Sequence, residues 1–150
     1  MPTIEYASLI PADSHKVFDF YCEPDNLPKI SPAFPAVKLN QSGIRIKQAL
    51  TFTISISYII FSQSWKVLIQ NFEPGKSFTD VQISGPFKIW WHMHEFKKAP
   101  GGTELKDKIF YEMPFGRIGR WLSSIFIRPY LERWLRFRHL QTKRCLSVNY

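Results

Sequence analysis

His92 and His94 stand two residues apart in the run Trp90-Trp91-His92-Met93-His94-Glu95-Phe96. In an extended strand alternate side chains share a face, so both imidazoles point the same way. Two imidazoles beside a carboxylate can move protons, hold a divalent metal, or orient a ligand's polar group. Asp80 and Asp107 are the carboxylates within reach, and Arg138 is a cation that could join them.

Their positions follow from strand periodicity. Leu105, Ile109, Tyr111 and Met113 share one face, and Glu104, Lys106, Lys108 and Glu112 share the other. The odd face is therefore inward, and it carries Asp107. Trp90, His92, His94 and Phe96 share a face of the preceding strand; Phe78, Asp80 and Gln82 share one of the strand before that. A turn at Gly85-Pro86 sets Asp80 across from His92 and Phe78 across from His94. Either face of these two strands could be inward. The polar face is expected there, because it can pair with Asp107.

The remaining chain must supply a scaffold. Thr3–Ile10 alternates as a first strand, and Asp13 or Ser14 can cap a short helix running to about Tyr21. Pro24, Pro28, Pro32 and Pro35 then allow a short second helix and a loop. Val37 to Met113 reads as about six antiparallel strands. Turns are expected at Gln41-Ser42-Gly43, Glu73-Pro74-Gly75-Lys76, Ser84-Gly85-Pro86 and Ala99-Pro100-Gly101-Gly102. Beyond Pro114-Phe115-Gly116 one long helix should run to about Leu146, kinked by Pro129, which denies the Ile125 carbonyl its donor. At 100° per residue that helix presents Tyr130, Leu131, Trp134, Phe137 and Cys145 on one stripe, with Arg138 among them. Arg133, Arg136, Lys143 and Arg144 fall opposite, with Glu132. The fold class is α+β: an antiparallel sheet of about seven strands round one long helix, in a single domain over residues 1–150.

Composition narrows the function. Two cysteines, Cys22 and Cys145, without a CxxC give no zinc ribbon, disulfide scaffold or redox dithiol. GxGxxG, P-loop, GxSxG and HExxH strings are absent. The 18 residues Gln48–Trp65 carry no charge, yet Leu50, Phe52, Ile54 and Ile56 alternate with Thr51, Thr53, Ser55 and Ser57. That is a half-buried strand, not a membrane span. No secretory signal is visible, so a cytoplasmic location is expected. The net charge of +8 is uneven: residues 1–114 hold 12 Lys/Arg against 11 Asp/Glu, and residues 115–150 hold eight against one. Most of the excess is then the outer face of the last helix. Aromatics and arginines lie mostly on opposite sides of that helix, which disfavours nucleic acid. Arg133, Arg136, Lys143 and Arg144 could instead meet an anionic membrane or an acidic partner.

The motif string also carries a resemblance. Phe78-x-Asp80-x-Gln82-x-x-Gly85-Pro86-Phe87-x-x-Trp90-x-His92-x-His94-x-Phe96 resembles the START-like (SRPBCC, helix-grip) superfamily, in particular a bacterial ligand-binding subgroup. Gly101-Gly102-Thr103-x-Leu105-x-Asp107, Tyr111-x-x-Pro114-Phe115-Gly116-x-x-Gly119, Phe137-Arg138, Asn26-Leu27-Pro28 and Ser31-Pro32 continue it. Some members of that subgroup are fused to a short-chain epimerase domain, for which these 150 residues leave no room. The resemblance implies a cavity between sheet and helix that takes a lipid, polyketide, isoprenoid or other small hydrophobic ligand. Arg138, Asp107, Asp80, Gln82, His92, His94, Trp90, Tyr111, Trp134 and Phe137 are the expected ligand-binding residues. A cyclase- or dehydratase-like enzyme in the same cavity is the alternative, with Asp107, His92 or His94 as acid or base. No cofactor is expected, and no metal, since an inward Arg138 would repel a cation.

Overall fold

The structure, a computed structural model, describes residues 2–147. Seven strands form one antiparallel sheet in the order β1-β7-β6-β5-β4-β3-β2. They are β1 Thr3–Ile10, β2 Ala36–Leu39, β3 Thr51–Ser57, β4 Ser62–Glu73, β5 Ser77–Ser84, β6 Ile89–Ala99 and β7 Gly102–Glu112. Helix α1, Ser14–Tyr21, follows β1; the Asp13 carboxylate caps it by accepting from the His15 amide. A 3-10 turn over Pro24–Ile30 stands where the second short helix is expected. At the C-terminal end come α2, Gly116–Leu122, a π-helical stretch, Ser123–Ile127, and α3, Arg128–Ser147. This is a helix-grip fold.

The strand register agrees with the pattern. Asp80 pairs with His92 and Phe78 with His94, and His94 pairs with Asp107. The polar face of β5 and β6 is the inward one: His92, His94 and Trp90 are buried, as are Leu105, Asp107, Ile109 and Tyr111 on β7.

Two apolar clusters flank these polar residues. One gathers Phe18, Tyr21, Phe78, Phe96 and Leu105 around α1. The other joins Trp90, Ile109 and Tyr111 to Leu131 and Leu135 of α3. Asp107, between Leu105 and Ile109 on its strand, sits at their junction.

Three expectations need correcting. Gln41-Ser42-Gly43 is not a tight hairpin but the start of a long connection. It is tied down by the Gly43 amide on Asp25 Oδ2 (2.9 Å) and the Ile46 amide on the Cys22 carbonyl (2.8 Å). The hairpin that does turn in this region lies inside the uncharged run, at Tyr58–Phe61, closed by the Tyr58 amide on the Phe61 carbonyl. It carries no Gly, Pro, Asn or Asp, so turn chemistry gave no warning.

The long helix is interrupted just before Pro129 by the π-helical stretch. The Arg128 amide bonds the Ser123 carbonyl, five residues back. One widened π turn thus takes up the register lost where Pro129 has no N–H. Finally, the buried stripe of α3 is Leu131, Leu135, Arg138, His139 and Thr142. Tyr130 is exposed and Phe137 only half-buried. Lys143 is half-buried too, so the solvated basic face is Arg133, Arg136 and Arg144.

Candidate functional site

Adjacent antiparallel strands bring opposed side chains within about 5 Å of one another. Asp80, His92, His94 and Asp107 therefore form a compact group across β5, β6 and β7. The His92 Nε2–H donates to Asp107 Oδ1 at 2.8 Å. His94 Nε2 donates to Asp80 Oδ2 at 2.8 Å. Its other nitrogen comes within 2.6 Å of Asp107 Oδ1, but the approach lacks hydrogen-bond alignment and Nδ1 is left unpartnered; that contact acts through charge. The Trp90 indole N–H donates to Asp80 Oδ1 at 3.0 Å. Helix α3 completes the group with His139, whose Nε2 bonds Asp107 Oδ2 and whose Nδ1 meets Ser8 Oγ at 2.7 Å.

Charge decides how this group behaves. Burial alone would raise the Asp107 pKa, but the His94 charge and the histidine hydrogen bonds hold it well below the usual carboxylate range. Burial would lower His94, yet Asp107 and Asp80 outweigh it and raise its pKa. His92 is pushed down, by burial and by the charge of His94. Asp80 stays low despite burial, through His92, His94 and the Trp90 donor. These surroundings favour the proton on His94 over His92, with both carboxylates ionised.

Arg138 does not pair with either aspartate. Its guanidinium carbon lies 4.7 Å from the centre of the Trp134 ring and 5.5 Å from that of Tyr21. It is 6% exposed, it makes no ion pair among the described residues, and its Nε has no partner. Burial pushes the neighbouring Tyr21 hydroxyl up to about 12, so it stays protonated; it shares a hydrogen bond with Thr142 Oγ1 at 3.0 Å.

These groups border a cavity of about 240 Å³ between sheet and helix. Arg138, Asp80, His92, His94, Tyr21, Trp90 and Trp134 all line it; Ile54, Ile56, Val67 and Leu131 supply apolar wall. The gap is thus not filled by aromatic packing. Its volume is below the ~300–1,000 Å³ usual for drug-sized ligands, so it suits one compact molecule. The exposed Glu23 and Tyr130 belong to its rim.

Of the expected ligand-binding residues, four do not face this space. Asp107 lies behind the histidines. Tyr111 is buried with its hydroxyl on Ser123 Oγ at 2.9 Å. Gln82 clamps the β5–β6 turn through both polar atoms of the Phe87 backbone. Phe137 is outside the lining. His139 and Tyr21 are the residues that sequence reasoning missed. His139 had a signal: Leu131, Leu135, Arg138, His139 and Thr142 follow i, i+4, i+7, i+8, i+11, but three of the five are polar and look like surface residues.

Donor atoms of Asp80, His92 and His94 lie within 4.8 Å of one another, the one such set among the described residues that could hold a metal ion.

The cluster makes stability pH-dependent in two directions. Asp107, depressed when folded, stabilises above its unfolded value of 3.8 and loses this as pH falls. His94, raised when folded, stabilises fully below 6.5 and loses this as pH rises through its folded value. His92 acts oppositely to His94: its lowered pKa favours the folded state above 6.5 and trims stability below. Urea unfolding across pH should therefore show a maximum between the two limits. His94→Gln should flatten the alkaline side; an unchanged alkaline limb in that variant would disprove the assignment of the proton to His94.

No protein-family model matches this chain, and no curated protein matches it. Solved structures do. A protein from Thermus thermophilus is 13% identical, with TM-score 0.74, over 99% of this chain and 100% of that one. Ara h 8.0201 is 12% identical, with TM-score 0.69, over 99% of each chain. A nucleoside-diphosphate sugar epimerase from Corynebacterium glutamicum is 21% identical, with TM-score 0.68; the match covers 96% of this chain but 29% of that one. At these identities the likeness is one of fold, and it places the chain among helix-grip proteins.

Proposed function

We propose that this chain binds a small, largely apolar molecule carrying an acidic or carbonyl oxygen, which Arg138 receives in the cavity. The observation that carries the reading is a buried guanidinium with an unpartnered Nε, facing apolar walls. A buried charge without a partner is costly, and an anionic or carbonyl group on a ligand would relieve that cost. Lipid, polyketide and isoprenoid acids are the classes that fit, and carriage of such a molecule is compatible with the exposed rim at Tyr130.

Trp134, in contact with Arg138, reports on occupancy. Decanoic acid should quench tryptophan fluorescence saturably, and decanol should bind at least about tenfold more weakly, the loss of one charge-assisted hydrogen bond. Equal affinity for acid and alcohol would sink the Arg138 assignment. Native mass spectrometry of protein from its own host would identify a co-purifying molecule.

A second reading, a cyclase- or dehydratase-like enzyme, is favoured by one feature: His94, held as an acid against Asp80, lines the same cavity. It requires His94→Gln to abolish turnover of the bound molecule while leaving its affinity nearly unchanged.

A further inference from the structure

The largest feature left unused is on the surface. Ile118, Trp121, Leu122, Ile125 and Phe126 are all exposed, and they recur at i, i+3, i+4, i+7, i+8 along α2 and the π-helical stretch. That is the apolar stripe of an amphipathic helix, turned to solvent. The packed positions lie to one side of the stripe, where Gly119 and Ser123 are buried. A Cβ on Gly119 would collide with the Pro114 carbonyl, so this residue sets the helix down with its apolar stripe outward. Phe115, in left-handed backbone at φ 70°, is exposed just before it.

A second apolar element joins this one at the cavity rim. The β3–β4 hairpin ends in Tyr58-Ile59-Ile60-Phe61, with Ile59 88% and Ile60 89% exposed. Tyr58 stacks on Phe61 (4.6 Å) and touches the exposed Phe34 (6.4 Å). Tyr58 and, from α3, Tyr130 both line the cavity. The tip adjoins Tyr58, the Phe34 loop adjoins Pro35, and the stripe runs on into Ile127, and these three neighbours line the cavity.

The charge beside the helical stripe is mainly positive, while Glu23 stands exposed at the cavity rim. Residues 113–131 contain Arg117, Arg120 and Arg128 and no acidic residue. On the helical wheel Arg117 and Arg128 flank the apolar stripe, and Arg120 lies on the far side of the helix from it. Arg128 is shared with Glu132 at 3.2 Å; Arg117 and Arg120 make no ion pair among the described residues. No described helix is long and apolar enough to cross a membrane, so the surface would lie on a bilayer, not through it.

We infer that the hairpin tip and the α2 stripe dock the protein on an anionic lipid surface, with the cavity entrance facing the bilayer. Isolated surface apolar residues need no explanation, but a contiguous set flanked by arginines is the signature of an interfacial helix. Here the apolar residues are Trp, Phe, Ile and Leu with arginine beside them, the composition that inserts at headgroup depth. The inference goes beyond the cavity reading and does not depend on what the cavity holds.

The experiment is co-sedimentation of the full chain with vesicles of phosphatidylcholine alone or mixed with phosphatidylglycerol. Binding is expected to the mixed vesicles and to weaken as salt shortens the screening length from about 10 Å to about 3 Å. Ile59→Ser/Ile60→Ser and Trp121→Ser/Phe126→Ser change only exposed side chains, so each should keep the wild-type melting temperature and lower the partition coefficient at least about tenfold. Arg138→Met should leave vesicle binding unchanged, which separates this test from the cavity reading. Arg133→Glu/Arg136→Glu tests the outer face of α3. Three results would overturn the proposal: no binding to mixed vesicles; binding that survives both serine pairs but is lost with the Arg133/Arg136 reversal; or a concentration-dependent dimer abolished by the serine pairs in a chain that ignores vesicles.

Discussion

Asp107→Ala should lower the unfolding free energy by about 3–5 kcal/mol, the range for removing one partner from a buried ionic network. The carboxylate is fully buried, and it answers His92, His94 and His139 at once. Without it His139 Nε2 and His92 Nε2 lose their acceptor, and His94 loses one of the two charges that keep it protonated. Asp107→Asn keeps the size and one acceptor oxygen but removes the charge, so it should cost less than alanine while lowering the His94 pKa. Urea unfolding measures the first effect and histidine NMR titration the second. A loss below about 1 kcal/mol for the alanine variant would mean that water or repacking replaces the carboxylate, and that the network is not what joins α3 to the sheet.

Arg138→Met is expected to behave in the opposite way. The guanidinium is as deeply placed as many core residues, yet no carboxylate depends on it among the described residues. Methionine fills similar volume beside Trp134 and Tyr21 and removes a charge that lacks a full set of partners. Stability should change by less than about 1.5 kcal/mol in either direction, because the loss of two ring contacts worth ~0.5–2 kcal/mol each is offset by removal of a buried charge whose Nε lacks a partner. Affinity for decanoic acid, in contrast, should fall about 10- to 100-fold, with decanol binding unchanged or improved. Fluorescence titration and urea unfolding on the same preparation decide it. A variant that is strongly destabilised and binds acid as before would make Arg138 a structural residue.

The contrast between these two residues also separates what is legible in the chain from what is not. Alternation alone places Asp107 inside, since Leu105, Ile109 and Tyr111 share its face and charged residues fill the other. The pairing of Asp80 with His92 follows from counting outward from Gly85-Pro86, since a short turn leaves little freedom of register. The aromatic excess and the long helix similarly announce a sheet with one large partner. In each case the information is local: a period of two, a turn, a change to a period near 3.6.

The identity of Asp107's partner on α3 is not local. Arg138 and His139 are neighbours on one helix, 100° apart, and a small rotation of α3 about its axis exchanges which of them reaches the carboxylate. Packing of Leu131 and Leu135 against Trp90, Ile109 and Tyr111 sets that rotation. It gives Asp107 to His139 and leaves Arg138 over aromatic rings at the cavity. The Tyr58–Phe61 tip and the outward stripe of α2 are illegible for a related reason. Their residues are of core type, and only the finished packing shows that the core is complete without them. Strands, most of their turns and the inward placement of Asp107 can be read along the chain, because each depends on near neighbours in sequence. Which cation stays unpaired, and which apolar residues stay uncovered, is settled in three dimensions, because both depend on how much surface distant elements leave over.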